Sequence, residues 1–382
     1  MYRLIIALLL YVVSLTSAAV EATFAGERLE IGVAEVDITP PEGFPMAGYY
    51  HERLATGVID PLKAKAVVFR QDEQAAAWVA VDVTGIARDL CVEVRRKAAA
   101  KTGIPETHIA VSATHSHTGP EYYSHLYEFL ANKNSADNTS YPARLIDGIV
   151  TAIAKASETA QPVLVKTGSA QQTVPVSFNR RFVMKDGSVK TWQRLDNPHV
   201  VRAAGPIDPE IGLALIQSAA DQQPLALLSN FALHLDTVGG LKWSADYPYF
   251  IEQGVREELG KSVISVFGSG ACGDINHVDP AKKERNKTEF IGTSLAVTIR
   301  AALPGLKAVD EPTLRIRCAT VDLPIQVITD ALLLQARVLI ALGRAGVKSD
   351  FFSLVDASLA AILVMIRINP TSLVSTEYFR LG

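Results

Sequence analysis

The sequence predicts an α/β fold of the mixed α+β kind: a layered domain with mixed central β-sheets flanked by helices, and a site at the C-terminal ends of strands. Three observations carry this. Between residues 75 and 115 the pattern runs strand, helix, strand, the rhythm of a layered domain. Carboxylates and imidazoles collect where apolar runs stop, the usual place for a site on such a sheet. And 382 residues with 48% apolar and 20% charged composition leave ample material for a buried core.

The elements follow in order. Arg3 and the run "LIIALLLYVVSLTSAAV" end in small residues, which predicts a secretory signal peptide over residues 1–19 and an exported mature chain. A membrane anchor is the rival reading, because the run approaches the minimum length of a span. "RLEIGVAEVDI" alternates like a strand before the turn-forming "TPPEG". "AKAVVFR" and "AAAWVAVDVTGI" read as neighbouring strands across the polar "QDEQ" turn. "LCVEVRRKAAAKTG" is a helix stopped by Gly103, and "HIAVSATH" returns to β. "ANKNSADNTSYPAR" is loop-like and "ARLIDGIVTAIAKASE" an amphipathic helix. "PVLVKTGSA", "IGLALIQSA" and "PLALLSNFALH" read as strands, "YPYFIEQGVREELG" as a helix, and "KSVISVFGSGACGD" as a strand entering a glycine-rich loop. "ITDALLLQARVLIALGRAG" reads as a helix, and the apolar run Ala360 to Ile366 is too short to span a bilayer.

A net charge of −3 without a long basic block argues against nucleic-acid binding. Cys91, Cys272 and Cys318 are too few and too far apart for a disulfide framework or a CxxC metal site.

The chemistry-bearing strand ends are Asp82 after "WVAV", His115 and His117 after "IAVSA", His234 and Asp236 after "NFAL", and Asp274, Asn276 and His277 in the glycine-rich loop. Residues i and i+2 of an extended segment share a side, so His115 and His117 can converge on one centre or divide metal binding and proton handling between them. A catalytic zinc takes three protein ligands and keeps one position open. One histidine of the HxH pair plus His234 supplies two, and Asp82, Asp236 or Asp274 could complete the set. The glycine-rich "GSGACGD" lacks both the GKS/T ending of a P-loop and the GxGxxG order, so it reads as a tight turn.

The segments "GVAEVDITPP", "GYYHERLATGVIDPLKAKAVVF", "VAVDVTGI", "VSATHSHTGPEYY", "SFNRR", "NFALH" and "GACGDINHVD" resemble, in order, those of the neutral/alkaline non-lysosomal ceramidase family, closest to its shorter bacterial members. The resemblance spans roughly Leu29 to Asp330. It implies a zinc-dependent amidase that cleaves the N-acyl bond of ceramide or a related lipid amide, with a lipid substrate and peripheral membrane contact. By resemblance His115 and His234 are the zinc ligands. His117 sits beside the metal and serves proton transfer or substrate orientation, and Arg180 stabilises the developing oxyanion. Asp274 and Asn276 belong to the same catalytic loop. That family's GDxSPN loop reads GDINHV here, so Asn276 takes the serine position and cannot act as a hydroxyl. A related hydrolase of another amide or ester, or a binding protein that keeps the fold, are the alternatives. The expected organisation is one ceramidase-like N-terminal catalytic domain over residues 20–382. The family's remaining ligands, a glutamate in a Pro-Gly-Glu segment and a later tyrosine, are expected downstream of Gly382. Glu377 and Tyr378 do not match their context.

Overall fold

The computed structural model describes residues 28–49, 51–122, 140–322, 329–344, 355 and 375–377. Five α-helices lie among them: α1 (Arg88–Thr102), α2 (Ser140–Glu158), α3 (Tyr247–Leu259), α4 (Thr288–Ala302) and α5 (Asp330–Arg344). The first strands are β1 (Glu30–Asp37), β2 (Lys63–Gln71), β3 (Gln74–Val81), β4 (Ile109–Ala113) and β5 (Gln161–Gln171). Short β6 (Phe178–Asn179), β7 (Arg181–Met184), β8 (Val189–Thr191) and β9 (Val200–Ala203) follow, then β10 (Glu210–Ser218), β11 (Pro224–Phe231) and β12 (Ile264–Ser269). The last are β13 (Ile275–Asn276), β14 (Lys307–Ala308), β15 (Thr320–Asp322) and β16 (Ser375–Glu377).

The main sheet has the order β12-β11-β10-β5-β1-β2-β3-β4, with β14 added on β5. It is mixed: β3/β4 and β11/β12 are parallel, and the other ladders of this sheet are antiparallel. Each parallel pair needs a crossover, and α1 and α3 provide them. Only two residue pairs join β1 to β5, Glu30 with Pro162 and Ile31 with Gln161. At that narrow seam the sheet folds over itself, so that β12 lies across β1 to β4.

The period-2 pattern shows why two halves stack. On β2, Ala64, Ala66 and Val68 pack under α1 and α2, while Val67 and Phe69 face the other half-sheet. On β1, Ala34 packs toward the helices, whereas Ile31 and Val33 meet Val163, Ile216, Ala226 and Val266 from the second half. That second half has its own outer layer, α3 and α4, through Ile251, Val255, Ile291 and Leu295. Four layers result, helix–sheet–sheet–helix. Each fully buried Ile, Leu or Phe contributes about 1.5–3 kcal/mol. Gly32 lets α2 approach β1: a Cβ there would sit 1.8 Å from the Ala156 carbonyl oxygen.

The helices end where the sequence places their stops. Gly103 caps α1 in the left-handed region, and Gly260 follows α3. Among the described residues helix α2 runs over Ser140–Glu158 and takes in the segment expected to be helical from Ala143. Residues 1–27 and 360–366, on which the signal-peptide and apolar-run readings rest, lie outside the described residues. Among the described residues no helix is long and apolar enough to cross a membrane.

One end of the layer between the half-sheets is charged. Lys63 Nζ contacts Glu35 and Glu252, each at 2.9 Å, and Lys65 Nζ bonds Glu252 and the Ser265 carbonyl. Arg256 closes the network onto Glu35 and Glu252. Asp82 borders the same enclosed space.

Candidate metal centre

The segment "THSHT" leaves β4 as an irregular loop that turns at His117 and Thr118, and its side chains split between two sides. Ser116 and Thr118 are fully buried, and both hydroxyls donate to the Ser244 carbonyl, at 2.7 and 2.9 Å. His115 and His117 therefore point the other way. His115 has φ +74°, a left-handed conformation uncommon for a side-chain-bearing residue and a mark of local strain at a site. Three further ties fix the loop: His115 N–H to Val83 O, His117 N–H to Leu235 O, and Arg53 Nη2 to His117 O at 2.6 Å.

His234 arrives from the other half-sheet, three residues beyond the end of β11. The turn that follows it is clamped by buried Asp246, which accepts from Thr237 N–H, Val238 N–H and the Thr237 hydroxyl, and caps α3 through Tyr247 N–H. Burial pushes the Asp246 carboxyl up, against those hydrogen bonds.

The three imidazoles meet at their Nε2 atoms. The separations are 3.1 Å between His115 and His234, 3.0 Å between His117 and His234, and 3.3 Å between His115 and His117. Each Nδ1 faces a backbone carbonyl: Thr84 O at 2.7 Å, Gly48 O at 2.6 Å and Cys272 O at 3.1 Å. A carbonyl only accepts, so each Nδ1 carries the hydrogen, and in the neutral ring Nε2 is then a bare lone pair. Burial, helped by its two neighbours, takes His117 down to about 3. Burial takes His234 down to about 4, with Arg180 and His115 adding to it against the pull of Asp236.

Three lone pairs aimed at one another repel unless a cation sits among them, so the donor set fits a metal ion. Nitrogen ligands about 2.0–2.1 Å from a tetrahedral ion stand about 3.3–3.4 Å apart, close to the separations here. The carbonyls on Nδ1 are the outer partners that fix tautomer and ring orientation at metal sites. These three residues are also the group of metal-ligating side chains that comes together among the described residues. The family resemblance assigns His115 and His234 to the metal and His117 to proton transfer or substrate orientation; the geometry gives all three Nε2 atoms the same standing.

Gly48 shapes the floor under His117. Its φ is +92°, and a Cβ there would stand 2.6 Å from His117 Cβ. Gly48→Ala should displace the His117 ring from Gly48 O and weaken metal binding by at least about tenfold, the lower range for outer-partner changes. Competition titration with a chromophoric chelator measures it.

The other expected residues are placed as follows. Arg180 is half-buried at the end of β6, its Nη2 on Gly273 O at 2.8 Å and its guanidinium 5.6 Å from the Trp192 ring. Its charge is among those that depress His234. Asp274 accepts from Asn179 Nδ2 at 2.8 Å and from Arg180 N–H at 2.7 Å through its carbonyl, so it holds the Arg180 segment. Asn276 is buried in β13, its Oδ1 accepting from Val278 N–H. Asp82 spends its carboxylate on Lys63 N–H and the Thr114 hydroxyl, and burial raises its carboxyl to about 6. Asp236 pairs with His277 Nδ1 at 3.2 Å. Burial would raise its carboxyl, but His277, His234 and His117 outweigh that and bring it to about 2. Glu377 lies in β16 opposite Thr320, and Tyr378 is outside the described residues.

The sequence assigns no role to Gly48 or Arg53, and it offers Asp236 as a candidate third ligand rather than as the partner of His277. Arg53 and Gly48 stand in quoted motif segments without a role, and the three carbonyls on Nδ1 leave no side-chain signal.

The neutral/alkaline non-lysosomal ceramidase N-terminal family matches residues 29–241, more than half of the chain. Neutral ceramidase 3 of Arabidopsis thaliana is 28% identical over 152 residues, which is 38% of this chain and 21% of the relative. The neutral ceramidase from Pseudomonas aeruginosa is similar in structure, with a TM-score of 0.63 at 20% identity over 77% of this chain and 48% of that one. A ceramidase complexed with C2 gives a TM-score of 0.63 at 21% identity over 77% and 47%. The chain thus spans between about a fifth and a half of the length of these relatives. At such identities the structural likeness speaks for the shared fold alone. On the match across Leu29 to Leu241, the chain belongs to the neutral/alkaline non-lysosomal ceramidase family.

Proposed function

We propose that this chain forms the N-terminal catalytic part of a zinc-dependent amidase that hydrolyses the N-acyl bond of ceramide or a related lipid amide. The observation that carries the reading is the convergence of three bare Nε2 atoms within 3.3 Å. The names of its relatives, neutral ceramidases and a ceramidase complexed with C2, supply the substrate class.

His115, His117 and His234 would hold the ion, tuned by the carbonyls of Thr84, Gly48 and Cys272. Zinc held there would supply Lewis acidity toward an amide carbonyl and activation of water near neutral pH. Arg180, carried on the Asn179–Asp274 bracket, stands to stabilise negative charge that develops on the carbonyl oxygen. Peripheral contact with a membrane surface follows from a lipid substrate. The domain would occupy residues 20–382 of an exported chain, with residues 1–19 as its signal peptide.

A second reading, hydrolysis of another amide or ester, is favoured by Asn276: its Oδ1 is engaged with Val278 N–H at the position where the resembled loop has serine.

The test is elemental analysis of the purified chain after dialysis against a weak chelator, paired with hydrolysis of a short-chain ceramide. Near one zinc per chain with release of sphingosine is the expected result. Absence of both overturns the reading, and zinc with turnover of other acyl amides or esters alone selects the second one.

A further inference from the structure

Beside the three histidines lies an open pocket of about 380 Å³, within the size range of ligand sites. Tyr49, Asp236, His277, Arg285, Lys287 and Thr288 are among its lining residues. It adjoins the candidate metal centre on two sides. The Tyr49 ring lies 6.3 Å from the His117 ring, and Asp236 is two residues past His234 with its charge felt by both His117 and His234.

His277 is the unusual member. It is only 3% exposed, yet it lines an open pocket. Its Nδ1 faces Asp236 Oδ1 at 3.2 Å, and its Nε2 has no hydrogen-bond partner among the described residues. An imidazole whose Nδ1–H is held by a carboxylate presents Nε2 in one fixed direction. Nε2 is not among the buried side-chain atoms that lack a partner, so it is reached from the open pocket that His277 lines.

We propose that His277, oriented by Asp236, is the residue that protonates the leaving amine, and that this pocket receives the amine half of the substrate. The proposal rests on the amidase reading. In the step, the water oxygen forms its bond to the acyl carbon and the C–N bond breaks, its electron pair staying on nitrogen. Nitrogen takes the Nε2 proton, and one of the two water protons returns through the open pocket to Nε2. An alkyl amine is too poor a leaving group to depart without that proton, whereas an activated phenolate leaves unaided. The polar lining suits the polar end of the amine half next to the scissile nitrogen, and the cationic rim of Arg285 and Lys287 disfavours retention of a protonated amine product.

The leaving-group contrast gives the test. His277→Ala and the near-isosteric His277→Gln are compared with the wild-type chain on an N-alkyl amide and on the p-nitrophenyl ester of the same acyl chain. Circular dichroism and zinc content are measured on each. Amide turnover should fall by about 10²–10⁴-fold in both variants, the range for loss of a positioned acid, with ester turnover within about threefold of wild type. Added imidazole should restore part of the amide rate to His277→Ala. His277→Gln covers the case in which the alanine variant does not fold. Parallel loss on both substrates, or an amide rate within about threefold of wild type, overturns the assignment. A wild-type chain that cleaves neither substrate overturns the amidase reading, and this proposal with it.

Discussion

Replacing His234 with alanine should abolish stoichiometric metal binding while leaving the fold in place. The ring contributes one of three Nε2 donors and a single 3.1 Å hydrogen bond to Cys272 O. Losing that bond costs about 1 kcal/mol, small beside the stability of a domain. Loss of the donor is another matter. Changes to outer partners alone reduce metal affinity about 10–100-fold, so removal of a direct ligand should exceed about 100-fold. His115→Ala should behave the same way. His117→Ala is the informative third member of the series. If the near-equal Nε2 separations reflect equal roles, its zinc content falls with the other two. If zinc survives in His117→Ala while turnover collapses, the imidazole serves the substrate. Elemental analysis at matched free zinc, with thermal melts as the folding control, reads all three variants.

Glu252→Ala should be the most damaging substitution far from the ligands. Glu252 is 2% exposed and answers Lys63, Lys65 and Arg256. Burial would raise its carboxyl, but Lys65 and Lys63 outweigh burial and bring it to about 2. Truncation leaves Lys65 buried without its carboxylate, a change that costs about 3–5 kcal/mol in comparable networks. The sign with pH follows from linkage. The folded carboxyl titrates below its ordinary 4.5, so its contribution is complete above about 4.5 and is lost as pH falls toward 2. Wild type and Glu252→Ala should therefore differ most at neutral pH and converge in acid. Urea denaturation at pH 7 and at pH 3 measures both arms. An unchanged gap at pH 3 would show that the loss is one of packing rather than charge.

Periodic local features were legible in the sequence. The strands flanking "QDEQ", the helix stopped at Gly103 and the helix stopped at Gly260 stand where alternation and glycine placed them. The HxH pair was legible as a site because two imidazoles ended an apolar run. Non-local features were not. The three-stranded sheet β8-β7-β9 is too short for a periodic signal, and α4 is broken in pattern by its central Gly-Thr-Ser. Asp82 read as a free carboxylate at a strand end, but its acceptors are taken by Lys63 N–H and Thr114. Nothing in the composition could say that Thr84, Gly48 and Cys272 would lend carbonyls from three separate segments.

The narrow seam between β1 and β5 has a thermodynamic corollary. His115 and His117 hang from one half-sheet and His234 from the other, so a bound ion would act as a rivet across the fold line. Binding energy at such a junction is also assembly energy. A substitution that loosens the packing of Ile31 against Val163 would then lower metal affinity without touching a ligand. Occupancy of the metal site would, in turn, report how tightly the two halves are closed.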